Sequence, residues 1–279
     1  RDLNVGTATA GGNTVATDLL ANSFIDSLEN AMVVAGLGAT MLRDLNGNVA
    51  IPRQTSGATA YWVAESAAVT ESQAAFDQVQ MSPKTVGSYS DISRKLLLQS
   101  SIDIEGFVRN DLAMRLAMAI DLAAIAGTGS SNQPTGILAT TGIGAKTFAA
   151  IGNPTFGEMV DVESQVSVDN ALFGSLAYVS TAAMAGAMKQ KAKDSGSGQF
   201  VMANNQVNGY NMAVTNQMTA NTVVFGNFAD LIIGMWGGLD INVDTSTGSS
   251  SGTVRVVCLQ DVDIAVRHAQ SFAKGSGGS

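Results

Sequence analysis

The chain begins without hydrophobic period. Residues 1–17 are rich in Gly, Thr, Asn and Ala and read as an extended arm. From Asp18 the pattern changes: Leu19, Leu20, Phe24, Ile25, Leu28, Met32 and Val33 recur at helical spacing on one broad face, and Gly36 and Gly38 end it. Residues 44–95 differ in kind. Asn46-Gly47 is a hairpin signal, and strand-like runs follow at Val49–Pro52 and Thr59–Val63. A polar, Ala-rich stretch from Ala64 to Ala75 leads to a second extended run, Phe76 to Ile92, in which Val79 and Met81 alternate with polar neighbours. This predicts two strand arms joined at a tip near Ser66–Gln73. Such a hairpin has too little apolar surface to stand alone and must lie on something.

The next segment predicts a long helix. Ser100 or Ser101 caps it, Asp103 and Glu105 sit in its first turn, where the positive dipole end favours acids, and apolar residues from Ile104 through Ala123 continue to Gly127. The pattern resets near Asn153. Thr155 caps a helix over Phe156–Val168, Ser175–Ser180 reads as a strand, and Thr181 caps a short helix over Ala182–Lys193. Short strands are expected at Met212–Thr215, Thr222–Phe225, Leu231–Met235, Ile241–Val243, Val254–Leu259 and Ile264–His268. A Ser/Gly loop fills Thr245–Gly252. The tail from Lys274 reads as flexible. The fold class is α+β.

Composition then narrows the function classes. Charged residues make up 14% of the 279, well below the usual ~25%, and apolar residues 46%. Chains of this kind often cover their surface with partners. A net charge of −8 argues against tight binding of nucleic acid through phosphate neutralisation. The single cysteine, Cys258, permits no intrachain disulfide and reads as a small core residue. No apolar run approaches the ~20 residues of a membrane span.

Catalytic groups are sparse. The stretch Gly127-Thr128-Gly129-Ser130-Ser131-Asn132-Gln133-Pro134-Thr135-Gly136 invites comparison with phosphate-binding loops, but Ile137-Leu138 follow where a Walker A loop needs Lys-Ser/Thr. It also leaves a helix C-terminus, which presents carbonyls rather than free N–H groups. Gly127 is expected as the left-handed residue that stops the helix, with Pro134 beyond it. His268 is the only histidine, and no Gly-x-Ser-x-Gly elbow is present. Asp240, Asp244, Asp261 and Asp263 match no Ca²⁺ loop and are expected at solvated strand ends. Trp62 and Trp236 read as core or interface anchors. The expectation is a non-enzyme with no catalytic residues, no cofactor and no metal.

Several stretches, taken in order, resemble the tailed-bacteriophage major capsid proteins of the HK97-fold family. They are Tyr61-Trp62-Val63-Ala64-Glu65 followed by Phe76, Ile92 through Ser101, the Gly127–Ile137 loop, Ser180-Thr181, Lys193-Asp194-Ser195-Gly196, Gly209-Tyr210 and Phe225-Gly226-Asn227-Phe228. The resemblance spans about residues 18–272. It implies an N-terminal arm (1–17), an N-terminal helix region (18–48), and an extended E-loop hairpin with flanking strands (49–95). A peripheral domain with a long spine helix (96–150) follows, to which 253–272 return. An axial domain (151–252) and a flexible tail (273–279) complete the chain.

The implied function is self-assembly into pentamers and hexamers of an icosahedral shell around double-stranded DNA, within the virion and assembled in the host bacterial cytoplasm. The E-loop residues Tyr61, Trp62, Val63 and Phe76 are the implied intersubunit contacts. Implied partners are further copies of the chain, a portal, a maturation protease and a decoration protein, with no membrane. A start at Arg1 fits a protease-matured end or a trimmed one. Two alternatives stay open: an encapsulin-type compartment shell, and a nucleotide-binding enzyme using 127–136. Family members that crosslink use an E-loop lysine, and this sequence has none between Arg53 and Lys84.

Overall fold

The computed structural model describes residues 32–93, 95, 104–196, 198–244, 246 and 252–277. The chain runs through α1 (Val33–Gly36), β1 (Thr40–Leu42), β2 (Val49–Ser56), β3 (Ala75–Met81), β4 (Lys84–Ser93) and the long α2 (Ile104–Ala126). Then come β5 (Gly144–Phe148), α3 (Phe156–Val168), β6 (Leu176–Ser180), α4 (Ala182–Gln190), β7 (Gln206–Val207), β8 (Tyr210–Val214) and β9 (Thr222–Asn227). β10 (Leu231–Asp244), β11 (Thr253–Val266) and β12 (Phe272–Gly277) close it. The expected helix over 18–36 falls within the described residues only as its last turn, α1, and the expected caps Ser100 and Ser101 and the acid Asp103 lie outside them.

The strands form a four-stranded sheet in the order β1-β10-β11-β4, a six-stranded sheet in the order β5-β12-β9-β6-β8-β7, and the two-stranded ribbon β2-β3. Both larger sheets are mixed: β1 runs parallel to β10, β5 to β12 and β6 to β8. Among the described residues no helix is long and apolar enough to cross a membrane.

The helix expected over Phe156–Val168 is α3, and Thr155 caps it as the sequence indicates. Thr155 Oγ1 accepts from Glu158 N–H at 3.2 Å, and Glu158 reaches back to the Thr155 N–H at 2.6 Å. This capping box satisfies donors at both ends of the first turn. Thr181 likewise caps α4, accepting from Met184 N–H.

Elsewhere the pattern misleads for identifiable reasons. The pairs of short strands expected at 231–235 with 241–243, and at 254–259 with 264–268, are each one long strand. The register slips between Trp236 and Asp240, where Gly237 takes φ +69°, so the apolar alternation of β10 breaks at a bulge while the strand continues. Asn46-Gly47 makes no hairpin. β1 pairs with β10 instead, and the Gly47 carbonyl accepts from the Trp236 indole N–H at 2.6 Å. Residues 59–63 form no ladder, since no partner strand runs beside them. The run from Phe76 to Ile92 is two strands, parted at Ser82-Pro83.

The tail is the clearest correction. Residues 273–277, expected to be flexible, belong to β12, an inner strand between β5 and β9. Its glycines are small because there is no room for more. A Cβ on Gly275 would meet the Phe148 ring at 2.1 Å, and one on Gly277 would meet the Ile151 Cα at 2.7 Å.

Alternation along the inner strands builds two cores on the six-stranded sheet. Tyr178, Val223 and Phe225 face α3 and α4, where they meet Met159, Val162, Met184 and Met188. Ala177, Val179 and Val224 face the other way, against the C-terminal half of α2 and the near ends of β10 and β11. That second cluster joins the two sheets. Further along, Leu112 and Leu116 of α2 lie on Ile92, Val256 and Cys258 of the four-stranded sheet.

A buried carboxylate ties α1 into this joint. Asp121 Oδ1 accepts from Val34 N–H at 2.9 Å, while Oδ2 is buried without a partner. Met32, at the N-cap position, offers no side-chain acceptor, so Asp121 caps α1 from 87 residues away. Burial pushes its carboxyl above the ordinary value, against the pull of the Val34 and Val33 N–H groups. A raised folded-state value means the contribution to stability is complete below the ordinary carboxylate range and declines as pH rises through the folded value. Asp121→Ala should therefore cost ~1 kcal/mol at pH ~4 and less at pH ~8. Thermal melts of both proteins at the two pH values check this; an equal or larger cost at the higher pH contradicts it.

Candidate functional site: the projecting ribbon and the loop after the long helix

The ribbon β2-β3 is rooted firmly and dressed loosely. At its base Met81, Val49, Ile51 and Val79 pack on Ile232, Trp236 and Ala265 of the four-stranded sheet. The turn into β4 is fixed by Asp263, whose Oδ2 accepts from Ser82 N–H at 2.9 Å and whose Oδ1 receives the Lys84 ammonium at 2.6 Å. Asp263 is thus a buried, paired anchor and not a solvated strand end. Further out, Arg53 and Asp77 pair across the strands at 2.8 Å, and the guanidinium holds the Asp77 carboxyl below the ordinary value.

Beyond Ser56 and Ala75 the ladder stops. Residues 57–74 are held by Thr59 and Ser72, which exchange hydrogen bonds, and by a turn in which Ala67 N–H donates to Ala64 C=O. The apolar residues here have nothing to pack on. Trp62 is fully exposed, Phe76 is 72% exposed, and Tyr61, Val63 and Val69 are also exposed. All four residues expected to make intersubunit contacts therefore lie on one projecting ribbon, with apolar surface turned to solvent.

The loop 127–136 is a miniature ladder. Gly136 N–H donates to Gly127 C=O at 2.9 Å, Gly129 N–H donates to Pro134 C=O at 3.1 Å, and Thr128 bridges Thr135 between them. The left-handed residues are Gly129, Ser131 and Asn132. Gly127 is not among them, so it does not stop the helix as expected. It is glycine because a Cβ would stand 2.4 Å from both Ala123 O and Pro134 O. The Gln133 amide oxygen accepts from the Thr128 N–H and hydroxyl at 3.1 and 3.0 Å, which uses up loop donors a phosphate would need.

A cleft of about 710 Å³ lies between this loop, the start of β4 and α2. Its lining includes one cation, Lys84, whose ammonium is engaged by Asp263. No helix N-terminus of useful length opens onto it, and the geometry gives an anion no cradle.

The remaining chemistry-bearing residues are dispersed. His268 precedes a short 3-10 turn and lines a separate polar cleft with Arg53 and Asp169. Cys258 is fully buried. Asp261 accepts from the Thr85 hydroxyl, and Asp240 stands across the register slip in β10. Among the described residues no group of three His, Cys, Asp or Glu side chains converges on a metal-sized site.

What this arrangement offers is surface, and the comparisons with known proteins bear on that directly. The model of the phage capsid family matches residues 11–277. The chain belongs to the phage capsid family. It is 36% identical over 269 residues to the major capsid protein of Halomonas phage phiHAP-1, covering 96% of this chain and 44% of that protein. It is 25% identical to the major capsid protein of Klebsiella oxytoca phage phiKO2, covering 98% of this chain and 70% of that one. The chain thus spans under half the length of the first relative.

Among solved structures, the capsid of a native GTA particle superposes with a TM-score of 0.79 at 20% identity, covering 99% of this chain and all of that one. A structure from Microbacterium phage Oxtober96 superposes at 0.77 with 13% identity, covering 99% of this chain and all of that one. These likenesses establish an HK97-like capsid fold, α+β, for this member of the family.

Sequence reasoning missed the residues that hold the ribbon in place. Trp236, Lys84 and Asp263 are separated by long stretches of chain, and only Trp236 carried a signal, as an anchor of unspecified partner.

Proposed function

We propose that this chain is the shell-building subunit of a phage capsid, acting by self-association into pentamers and hexamers that close into an icosahedral shell around double-stranded DNA. The observation that carries the reading is the exposed apolar tip of a well-rooted ribbon, in a chain whose capsid-family match spans residues 11–277. Tyr61, Trp62, Val63 and Phe76 seat on a neighbouring subunit. A fold that presents complementary edges, with ribbons and arms that absorb local differences, can serve both five- and six-fold surroundings.

In this reading α2 and the four-stranded sheet make the peripheral part, and the six-stranded sheet with α3 and α4 makes the axial part that points to the ring centres. The expected boundaries shift accordingly, because β5 and β12 sit in the six-stranded sheet and β10 in the four-stranded one. The net charge of −8 suits a wall that encloses DNA without gripping it. Portal, maturation protease and decoration protein are the partners such a shell calls for.

Electron microscopy of the purified protein tests the reading: closed shells of uniform diameter are expected, and persistent monomers under all assembly conditions contradict it. Nuclease-protected DNA inside those shells separates a genome container from a protein-loaded compartment. Residues 54–83 contain no lysine, so no covalent E-loop crosslink is expected. Denaturing gels of assembled particles under reducing conditions should show a single subunit band; a ladder of multiples refutes this.

A further inference from the structure

The long helix α2 has an apolar stripe that the described residues leave uncovered. Met114 is 50% exposed and Leu122 38% exposed, with Met118 between them half-buried. A helix that is apolar on nearly every side normally has cover on every side. The opposite face of α2 is already taken by Ile92, Val256 and Cys258.

The stripe is continuous with an interface that is present. Met114, Met118, Asp121 and Ile125 follow one another at spacings of four, three and four, which places them on a single helical face. At the C-terminal end of that face sits α1, its Val34 N–H hydrogen-bonded to Asp121. Met32, just ahead of α1, packs against the core cluster that holds Ile120 and Ile125. The chain that precedes Met32 therefore arrives at α2 beside Asp121, with Met118 and Met114 as the next positions along the helix.

That preceding chain has the matching pattern. Leu20, Phe24, Leu28 and Met32 recur every four residues. Residues 18–31 lie outside the described residues. As a helix they would be about 21 Å long, close to the ~22 Å from Asp111 to Ala126.

We infer that residues 18–31 dock in cis along this face of α2, running in the same direction, with Leu28 over Met118 and Phe24 over Met114. This goes beyond the capsid reading: it fixes where the N-terminal arm leaves the subunit. The arm, residues 1–17, then departs from the far end of the stripe near Asp111. At full extension it reaches about 55–60 Å, enough to cross a neighbouring subunit.

Engineered cysteine pairs in the full chain test this. Leu28→Cys with Met118→Cys and Phe24→Cys with Met114→Cys should each give an intrachain disulfide on mild oxidation, read as a monomer by non-reducing gel and mass. Asp26→Cys with Met118→Cys, on the opposite face of the docked helix, should not. Disulfide-linked dimers in place of intrachain bonds overturn the inference, because the segment then lies on a neighbour. Equal reactivity of all three pairs also overturns it. As a second readout, Met114→Glu with Leu122→Glu should raise the rate of proteolytic cleavage within 18–31 about tenfold while the body stays folded. An unchanged cleavage rate rejects the docking.

Discussion

Gly136→Ala should lower the stability of the free subunit by about 3 kcal/mol, although alanine is chemically the smallest change available. The reason is steric and involves only backbone. A Cβ at position 136 would lie 2.5 Å from Ala123 O, 2.6 Å from Gly127 N and 2.9 Å from Ile125 C. None of these atoms can swing aside as a side-chain tip could. Gly136 has φ −81° and ψ 177°, which any residue can adopt, so backbone strain contributes nothing. What is lost is the close seating of the loop on the helix end, including the Gly136–Gly127 hydrogen bond and the burial of Ile137 directly after it. For a chain of this size the cost corresponds to a fall in Tm of roughly 6–12 °C. Gly186→Ala is the matched control. It sits inside α4 with nothing within 4 Å of its missing Cβ, so alanine there should raise stability by about 0.5–1 kcal/mol. Calorimetric melts of the two variants should move in opposite directions, and equal shifts would refute the steric account.

The same loop shows what a sequence can and cannot disclose. Its place after a helix C-terminus was legible, because the apolar period of residues 104–126 ends at Gly127, and that alone argued against a phosphate site. The reason for each glycine was not. Gly127 and Gly136 are set by close approach to atoms nine residues apart in the chain, Gly129 by its positive φ, and no local pattern separates those causes. Gly275 and Gly277 make the point more sharply. Their composition is that of a linker, yet their size is dictated by Phe148 and Ile151, well over a hundred residues earlier. Local signals succeeded where the physics is local, as at the Thr155 capping box and the Thr181 cap. They failed where a strand's continuity depends on its neighbours. β10 survives its Gly237 bulge because β11 pairs with it on both sides of the slip.

The ribbon was legible for a related reason. A stretch with tryptophan, tyrosine and phenylalanine but no second apolar stripe cannot be a core, so exposure could be anticipated from residues 59–76. Its root could not. Asp263 reads as one more acid among Asp240, Asp244 and Asp261, and only the fold shows it buried against Lys84 and Ser82. Breaking that pair by removing one partner would leave a buried charge, and the ribbon's direction depends on it.

Replacing Tyr61, Trp62 and Val63 together by serine should abolish shell formation at concentrations where the parent chain assembles, and leave the subunit folded. In the subunit these side chains are exposed, so their loss should change stability by no more than about 0.5 kcal/mol. In the assembly they are the apolar surface available to bury. A buried aromatic anchor contributes about 2–4 kcal/mol at an interface, and 2 kcal/mol alone weakens a contact ~30-fold. Each subunit of a shell repeats the contact, so the deficits accumulate over every ring. Removing 64–75 tests the same surface differently. It deletes Val69 and the turn at Ala64–Ala67 but spares the root packing of Val49, Ile51 and Met81. Sedimentation and electron microscopy should find folded, unassembled subunits in both cases. Normal particles from the triple variant would show that the ribbon's apolar tip is not what joins one subunit to the next.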